Sequence, residues 1–293
     1  MRRPPIDTHA LLHWIVECNN YTPEPFVDWV IEDTVVGAIH KERLGLVRQH
    51  PETFQVLDDR VILHPRLDTP DARTDAVEQV LKSWHAQGLF SGWRGERYAV
   101  SAMFGAMPYL AIERSAAGLL GIRQYGVHIN GTTWKDGQPF MWVARRSAQK
   151  PEYPGRLDHL AAGGLAAGRS ASGTVTQECR EEANIPEDLS ARARPAGLVS
   201  YHGARGHNSG QVALFVYDLE LPATFLPQNN DGEVGEFYLW PVEQVVELVT
   251  QTREFKTNCN LVIIDWLVRH GYVCPDDPHY VEIAHGLRGP DLS

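Results

Sequence analysis

The chain of 293 residues carries 37 acidic and 27 basic side chains, a formal net charge of −10, and 43% of its residues are hydrophobic. This composition is typical of a globular protein whose core is large enough for one large domain or two ordinary ones. The acidic balance, without a block of Lys or Arg, argues against a nucleic-acid-binding protein. No stretch approaches the roughly 20 apolar residues of a membrane span, and the first residues lack the apolar core of a secretory signal.

The four cysteines are scattered along the chain without Cys-x-x-Cys spacing, at positions Cys18, Cys179, Cys259 and Cys274. This distribution favours reduced thiols over a disulfide framework or a zinc knuckle. We therefore predict a cytoplasmic protein that binds neither nucleic acid nor membrane.

The first hundred residues have the mixed pattern of an α+β unit. The spacing in "HALLHWIVECNN" predicts a helix whose apolar face holds Leu11, Leu12, Ile15 and Val16. Alternating residues in "FVDWVIEDTVVGAIHKE" then predict strands around a turn at Glu32–Asp33. A second helix is predicted to begin at Pro70 and to end at Gly88, with an apolar face of Ala76, Val77, Val80, Leu81 and Trp84.

From about residue 118 the pattern becomes that of a sheet flanked by helices. We predict two strands around a turn at Lys135–Asp136–Gly137, two more after Pro195, and a short strand in "EVGEFYLW". Helices are predicted in "PVEQVVELVT" and "TNCNLVIIDWLVRHG". The expected architecture is α/β (α+β): an N-terminal α+β accessory domain at 1–117, a mixed-sheet domain at 118–270 and a tail at 271–293 that packs on the surface.

The stretch "GGLAAGRSASGTVTQECREEANIP", which begins at Gly163, joins a glycine-rich loop to a helix rich in carboxylates. Ser170 is the predicted N-cap, the helix is expected to run through Ala183, and Asn184 suits the left-handed position after it. No GK[ST] follows the loop and "GGLAAG" is not GxGxxG, so neither a P-loop nor a Rossmann fingerprint fits.

Three glutamates of this helix form a candidate metal site. Glu178 and Glu182 are four residues apart and share a face, and Glu181 lies on its edge. Like charges at this spacing repel by about 0.2–0.5 kcal/mol per pair on a solvated helix. A hard divalent cation among the carboxylate oxygens reverses that cost, so the pattern favours a metal site over a solvated helix face.

The same stretch resembles the Nudix box, GX5EX7REUXEEXGU with U aliphatic, which in that family is a loop–helix–loop that binds Mg²⁺ or Mn²⁺. The resemblance implies hydrolysis of a diphosphate linked to another group. It implies that Glu178, Glu181 and Glu182 bind the metal and that Glu181 and Glu182 act in catalysis. Gly163 and Gly164 would let the backbone approach the metal cluster or the phosphates.

The box departs from the family pattern at several positions. Gln177 stands where the box has arginine, Asn184 stands where it has glycine, and Arg169 or Ser170 takes the place of the early glutamate in a loop that is one residue shorter. Gln177 retains hydrogen-bonding capacity but adds no charge to orient the neighbouring carboxylates.

The segments "GWRGERYAVS" and "LAIERSAAGLLGIRQYGVHINGTTW" resemble a Nudix subfamily with an extra N-terminal domain, related to Nudix proteins found alongside thiamine pyrophosphokinase. That resemblance implies hydrolysis of oxidised or damaged thiamine diphosphate to the monophosphate. Candidate walls for the flat ring, although the pattern of each favours an ordinary core residue, are Trp134, Phe140, Trp142, Tyr201 and Tyr238.

Two alternatives remain open at this point. A nucleoside diphosphate derivative such as ADP-ribose presents the same diphosphate and flat ring as thiamine diphosphate. A non-catalytic, ligand-sensing Nudix-like protein is favoured by Gln177 and the shortened loop, and it is disfavoured by the three clustered carboxylates.

A further acidic group is predicted from "NNDGEVGEF". Asp231–Gly232 marks a turn, and Glu233 precedes a strand, where it is a candidate general base or additional metal ligand; a solvated loop carboxylate fits equally well. His202 and His207 could serve as metal ligands or phosphate contacts, or they could make local hydrogen bonds within their loop. We expect a small-molecule diphosphate as the binding partner, and a homodimer is a candidate assembly state.

Overall fold

A computed structural model of the chain describes residues 6–289. The helices are α1 Thr8–Cys18, α2 Leu44–Val47, α3 Pro70–Ala86, α4 Ala117–Leu120, α5 Ala171–Ala183, α6 Glu187–Ser190, α7 Val242–Gln251, α8 Thr257–Arg269 and α9 Tyr280–Gly286. The strands are β1 Phe26–Ile31, β2 Thr34–His40, β3 Phe54–Val56, β4 Arg60–Leu63, β5 Arg97–Val100, β6 Leu110–Glu113, β7 Gln124–Lys135, β8 Gln138–Arg146, β9 Leu157–His159, β10 Ala161–Gly164, β11 Arg194–Arg205, β12 Asn208–Glu220 and β13 Val234–Pro241.

The residues from β1 to α4 form a small α+β unit with its own core. Its sheet has the order β2-β1-β4-β3, with β1 and β4 parallel, and β5 and β6 form a separate antiparallel pair. Four residues of the predicted face of α3 are confirmed, because Val77, Val80, Leu81 and Trp84 are buried in this core, whereas Ala76 at its edge is only partly buried. We call the residues from β1 to α4 the N-terminal unit.

The second sheet contains seven strands and organises the rest of the chain. Its main path is β11-β12-β7-β8-β13, with β10 added beside the first half of β7 and β9 beside β8. The predicted turn between β7 and β8 is confirmed: Asp136 and Gly137 both adopt positive φ, as a two-residue hairpin turn requires. The pair β7–β12 is parallel and the other pairs are antiparallel, so the sheet is mixed as predicted.

Helices cover both faces of this sheet, which confirms the predicted fold class. On one face α5 packs Val175 and Cys179 against Val127 and Ile129. On the other face α7 and α8 bury their apolar sides together with α1 and α9. Because both faces of a sheet with apolar residues on each side must be shielded from water, this three-layer arrangement follows from the strand patterns.

Helix α1 differs from its prediction in two ways. Its buried residues are Leu11, Trp14, Ile15 and Cys18. Leu11 and Ile15 of the predicted face are confirmed and Leu12 is half-buried against the same core, whereas Val16 is 63% exposed, so the buried face is rotated from the predicted one by roughly a quarter turn. The large Trp14 ring draws the helix to a face with i, i+3, i+4, i+7 spacing. In addition, α1 was predicted as part of the N-terminal domain, but it packs with α8 and α9 of the C-terminal part of the chain. The Nε1 of Trp14 donates a hydrogen bond to Val249 O at 2.7 Å.

The tail after α8 contributes to the same core. Val273, Ile283 and Leu287 are buried there, and α9 lies against α1. The tail as far as residue 289 thus packs against the sheet layer and inserts side chains beneath it. The surface packing of 271–293 stays a prediction, and residues 290–293 lie outside the described residues. The boundaries at residues 117 and 270 stay predictions. Within residues 6–289, no helix is both long and apolar enough to cross a membrane.

Candidate metal centre

Helix α5 begins and ends where local sequence predicts. Ser170 caps it, since its Oγ accepts a hydrogen bond from Gly173 N at 3.1 Å. Asn184 ends it in the left-handed conformation with φ of 51°, and Ile185 N then donates to Cys179 O at 2.9 Å. The helix is thereby held at both ends, with Glu178 and Glu182 facing β10.

Glu182 and Glu178 lie against β10. Glu182 is 8% exposed, and its Oε2 accepts a hydrogen bond from Ala162 N at 2.8 Å. The carboxylate of Glu178 lies so close to Gly163 that a Cβ at this position would overlap its Cδ and Oε1. Gly163 therefore makes room for the glutamate, whereas the predicted approach was to a metal or phosphate.

Gly164 makes room for the N-terminal unit. A Cβ built on it would overlap the hydroxyl of Tyr98 and would lie 3.1 Å from Cζ of Arg114. Next along the loop, Ala167 N donates to Arg97 O at 2.8 Å. The glycine-rich loop is therefore packed directly against β5 and the end of β6.

The electrostatics of Glu178 and Glu182 suit a bound cation. Burial, and next the charge of Glu181, raise the pKa of Glu178 to about 7. Burial, and next the charge of Glu178, raise the pKa of Glu182 well above its ordinary value. Among residues 6–289 neither carboxylate is in an ion pair. Carboxylate oxygens are the donors that Mg²⁺ and Mn²⁺ prefer, so these residues fit the metal that the sequence predicts.

Glu181 lies on the outer edge of the same cluster, with 38% of its side chain exposed. Arg169 donates a hydrogen bond to Oε1 of Gln177, and Nε2 of Gln177 donates to Oε2 of Glu181 at 3.0 Å. Gln177, which replaces the arginine of the box, thus orients Glu181 by hydrogen bonding and links the loop to the helix.

Glu233 lies at the entrance of a cleft of about 600 Å³ lined by residues 94, 96, 147, 149–151 and 231–233. Its Oε2 pairs with Lys150, and its backbone N donates to Oδ1 of Asp231 at 2.8 Å. Burial alone would raise the pKa of Glu233, but the hydrogen bond and charge of Lys150 outweigh it and the pKa is lowered. Because the charge of Glu233 acts on Glu178, the cleft and the glutamate cluster are electrostatically connected.

None of the five aromatic residues predicted as ring-binding walls lines this cleft. Trp142 is buried in the core beneath α5, Tyr201 packs against the core on the opposite face, and Tyr238 stacks on Trp240. Trp134 is exposed near the β7–β8 turn, and Phe140 lies beneath Lys135. His202 and His207 stack on Tyr21 and His40, so both contribute contacts between chain segments.

A second, fully buried cluster was not predicted from the sequence. His128 of β7, Asp158 and His159 of β9, and Cys259 of α8 offer ligand atoms that all lie within 4.8 Å of one another. The Nδ1 atoms of the two histidines are 2.9 Å apart, and Cys259 Sγ donates to Asp158 Oδ1 at 2.8 Å. The three contributing elements are far apart in sequence, so no spacing motif could reveal the cluster.

The charges around Asp158 identify this cluster as a hydrogen-bonded network. Its Oδ2 lies 3.0 Å from Arg146 and 3.7 Å from Lys256. Burial alone would raise the pKa of Asp158, but the charges of Lys256 and Arg146 outweigh it and hold it well below its ordinary value. Burial lowers the pKa of His159 to about 4, so that ring is neutral at pH 7. Two resident cations already balance the one carboxylate, which disfavours a metal ion here.

Replacing Gly163 with alanine is expected to lower turnover at least tenfold with little loss of stability. The new Cβ must displace the end of the Glu178 side chain, which is flexible, while the strand can stay in place. Gly45→Ala, within α2, where an added Cβ meets no atom within 4 Å, is the matched control. Steady-state kinetics and thermal unfolding measure both effects, and unchanged turnover in Gly163→Ala would show that the Glu178 position is not critical.

Comparison with known proteins places these features in a family. Residues 10–124 match a family model described as a domain of unknown function (DUF4743). The chain is 42% identical to Nudix hydrolase 24, chloroplastic, and to Nudix hydrolase 20, chloroplastic, both of Arabidopsis thaliana. The alignments cover 98% of this chain and 80% of each relative. A solved structure, the NUDIX domain of Shewanella oneidensis NrtR with ADP ribose, matches with a TM-score of 0.40 and 15% identity over 50% of this chain and 88% of that one.

Identity of 42% over nearly the whole chain extends across both the N-terminal unit and the carboxylate helix with its glycine-rich loop. The departures at Gln177 and in the loop therefore lie within a chain whose relatives are named hydrolases, so the non-catalytic alternative is set aside. The chain belongs to the Nudix hydrolase family.

Proposed function

We propose that this Nudix hydrolase converts oxidised or damaged thiamine diphosphate to the monophosphate, with Mg²⁺ or Mn²⁺ bound by Glu178, Glu181 and Glu182. One observation carries the metal requirement: the buried Glu182 and the partly buried Glu178 lie together against β10, and among residues 6–289 no basic side chain pairs with either of them. The thiamine assignment is supported by the resemblance of "GWRGERYAVS" and the segment from residue 110 to residue 134 to the thiamine-associated subfamily.

Each glutamate has a distinct support for this role. Ala162 N holds Glu182, the bare surface of Gly163 accommodates Glu178, and Gln177 orients Glu181. A bound divalent ion supplies charge neutralisation for the diphosphate and activation of water. These residues therefore contribute fixed positions before the substrate arrives, which is the condition for efficient electrostatic catalysis.

Glu233 is our proposed general base or additional metal ligand. In the present arrangement Lys150 lowers its pKa, which makes it a weaker base. Either role requires Lys150 to shift away from the carboxylate, for example toward a substrate phosphate. Loss of turnover in Glu233→Gln with unchanged metal affinity would support the base role.

The substrate proposal is tested by comparing kcat/KM for several diphosphates in the presence of Mg²⁺. The panel contains oxo- and oxythiamine diphosphate, thiamine diphosphate, ADP-ribose and nucleoside triphosphates. We expect the damaged thiamine diphosphates to give the highest kcat/KM, and we expect EDTA to abolish turnover and Mg²⁺ or Mn²⁺ to restore it. A clear preference for ADP-ribose or a nucleotide would overturn the substrate while leaving the reaction class in place.

We also propose a location and an assembly state. The four cysteines are free, which supports a cytoplasmic location for this chain. Its two plant relatives carry the word chloroplastic in their names. A homodimer is a further proposal, which sedimentation analysis of the purified protein would decide.

A further inference from the structure

We propose that the N-terminal unit supplies a substrate-binding residue to the catalytic cleft: Arg94, whose guanidinium binds the diphosphate of the substrate. This inference rests on the proposed function, since it takes the cleft beside the glutamate cluster as the substrate site. It assigns to the N-terminal unit a direct part in binding the substrate.

The cleft is formed jointly by the two parts of the chain. Arg94 and Glu96, just before β5, line it from the N-terminal unit, and Lys150 and Glu233 line it from the seven-stranded sheet. The volume of about 600 Å³ lies within the range of about 300–1,000 Å³ that is typical of small-molecule sites. Glu96 pairs with Arg114, and Arg114 lies against Gly164, the neighbour of the glycine that packs on Glu178. The cleft therefore opens beside the candidate metal ligands.

The ion pairs of the cleft leave one cation available. Lys150 is paired with Glu233, and Arg114 is paired with Glu96 at 2.6 Å. The exposed guanidinium of Arg94 has no ion pair within residues 6–289. An arginine fork matches two phosphate oxygens at once, so an anionic diphosphate is the ligand chemistry that this group recognises.

The backbone that carries Arg94 is fixed before any ligand binds. Glu113, which is 3% exposed, accepts hydrogen bonds from Arg94 N at 3.1 Å and from Gly95 N at 3.0 Å. Its Oε1 also accepts from Ser115 Oγ at 3.0 Å. A buried carboxylate with these partners holds the loop rigidly, which reduces the ordering cost of binding through Arg94.

The test compares Arg94→Ala and Arg94→Lys with Arg60→Ala, a control that removes the same charge from an exposed site of the N-terminal unit, where Arg60 pairs with Asp59. Two quantities are measured: KM and kcat for the best substrate of the panel above, and the affinity for inorganic pyrophosphate with Mg²⁺ by titration calorimetry. We expect Arg94→Ala to raise KM and weaken pyrophosphate binding by about ten- to a hundredfold, with kcat changed less than about threefold. Arg94→Lys should give an intermediate loss, because it keeps the charge without the fork.

The calorimetric measurement separates this inference from the proposed function. Pyrophosphate binding that weakens in Arg94→Ala and not in Arg60→Ala supports the inference even if the wild-type protein hydrolyses none of the panel, a result that would overturn the proposed function alone. Wild-type pyrophosphate affinity in a folded Arg94→Ala protein, verified by circular dichroism, overturns the inference whatever the turnover. A wild-type protein that does not bind pyrophosphate overturns it as well.

Discussion

Replacing Glu182 with glutamine is expected to lower kcat by about a hundredfold or more. Loss of a residue that only hydrogen-bonds to a metal ligand typically costs about ten- to a hundredfold, and loss of the ligand itself should cost more. The amide keeps an oxygen that can accept the hydrogen bond from Ala162 N, and it has nearly the same shape as the carboxylate. Only the negative charge is removed. Since that charge is buried without an ion-pair partner among residues 6–289, the free energy of unfolding of the metal-free protein should stay the same or rise.

The matched control is Glu187→Gln, which removes the same charge from the exposed helix α6 that follows α5. Turnover with saturating Mg²⁺, metal affinity by calorimetry and urea unfolding are measured for both variants. Full turnover in Glu182→Gln would place the metal site elsewhere. A loss of turnover shared by Glu187→Gln would mean that the general charge of this region, and not the site, is responsible.

Replacing Asp158 with asparagine is expected to lower the free energy of unfolding by about 3–5 kcal/mol, the usual cost of removing one partner from a buried ion pair. Asp158 is 9% exposed on its side chain and faces both Arg146 and Lys256. The asparagine oxygen can still accept from His159 N, so the loss comes mainly from leaving two largely buried cations without a counter-ion.

Asp58→Asn, at an exposed loop position between β3 and β4, provides the control for the same chemical change. Urea and thermal unfolding followed by circular dichroism measure the difference, and we expect the control to stay within about 0.5 kcal/mol of the wild type. A stability of Asp158→Asn equal to that of the control would show that Arg146 and Lys256 find other partners. Metal that elemental analysis detects in Glu182→Gln and that is lost in Asp158→Asn would contradict the description of this cluster as a hydrogen-bonded network.

Local patterns predicted the carboxylate helix in detail. The cap at Ser170, the left-handed Asn184 and the shared face of Glu178 and Glu182 all depend on residues within one or two helical turns. The same holds for the Asp136–Gly137 turn. The pattern within α1 did not predict its buried face, because the apolar residues of this helix are distributed around most of its circumference. Packing against the distant helices α8 and α9 decides which of these residues are buried.

The amino-acid sequence by itself determined the fold class, the order of most helices and strands, and the helix that carries Glu178, Glu181 and Glu182, because each depends on short-range periodicity and capping. Only the tertiary structure decided which distant groups meet there: Gly163 beneath Glu178, Lys150 on Glu233, and Arg94 across the cleft. These contacts depend on strand pairing and on how the N-terminal unit packs on the glycine-rich loop. Neither strand pairing nor the packing of this unit can be predicted from a local sequence pattern. Both depend on burying surfaces that are formed by segments far apart in the chain.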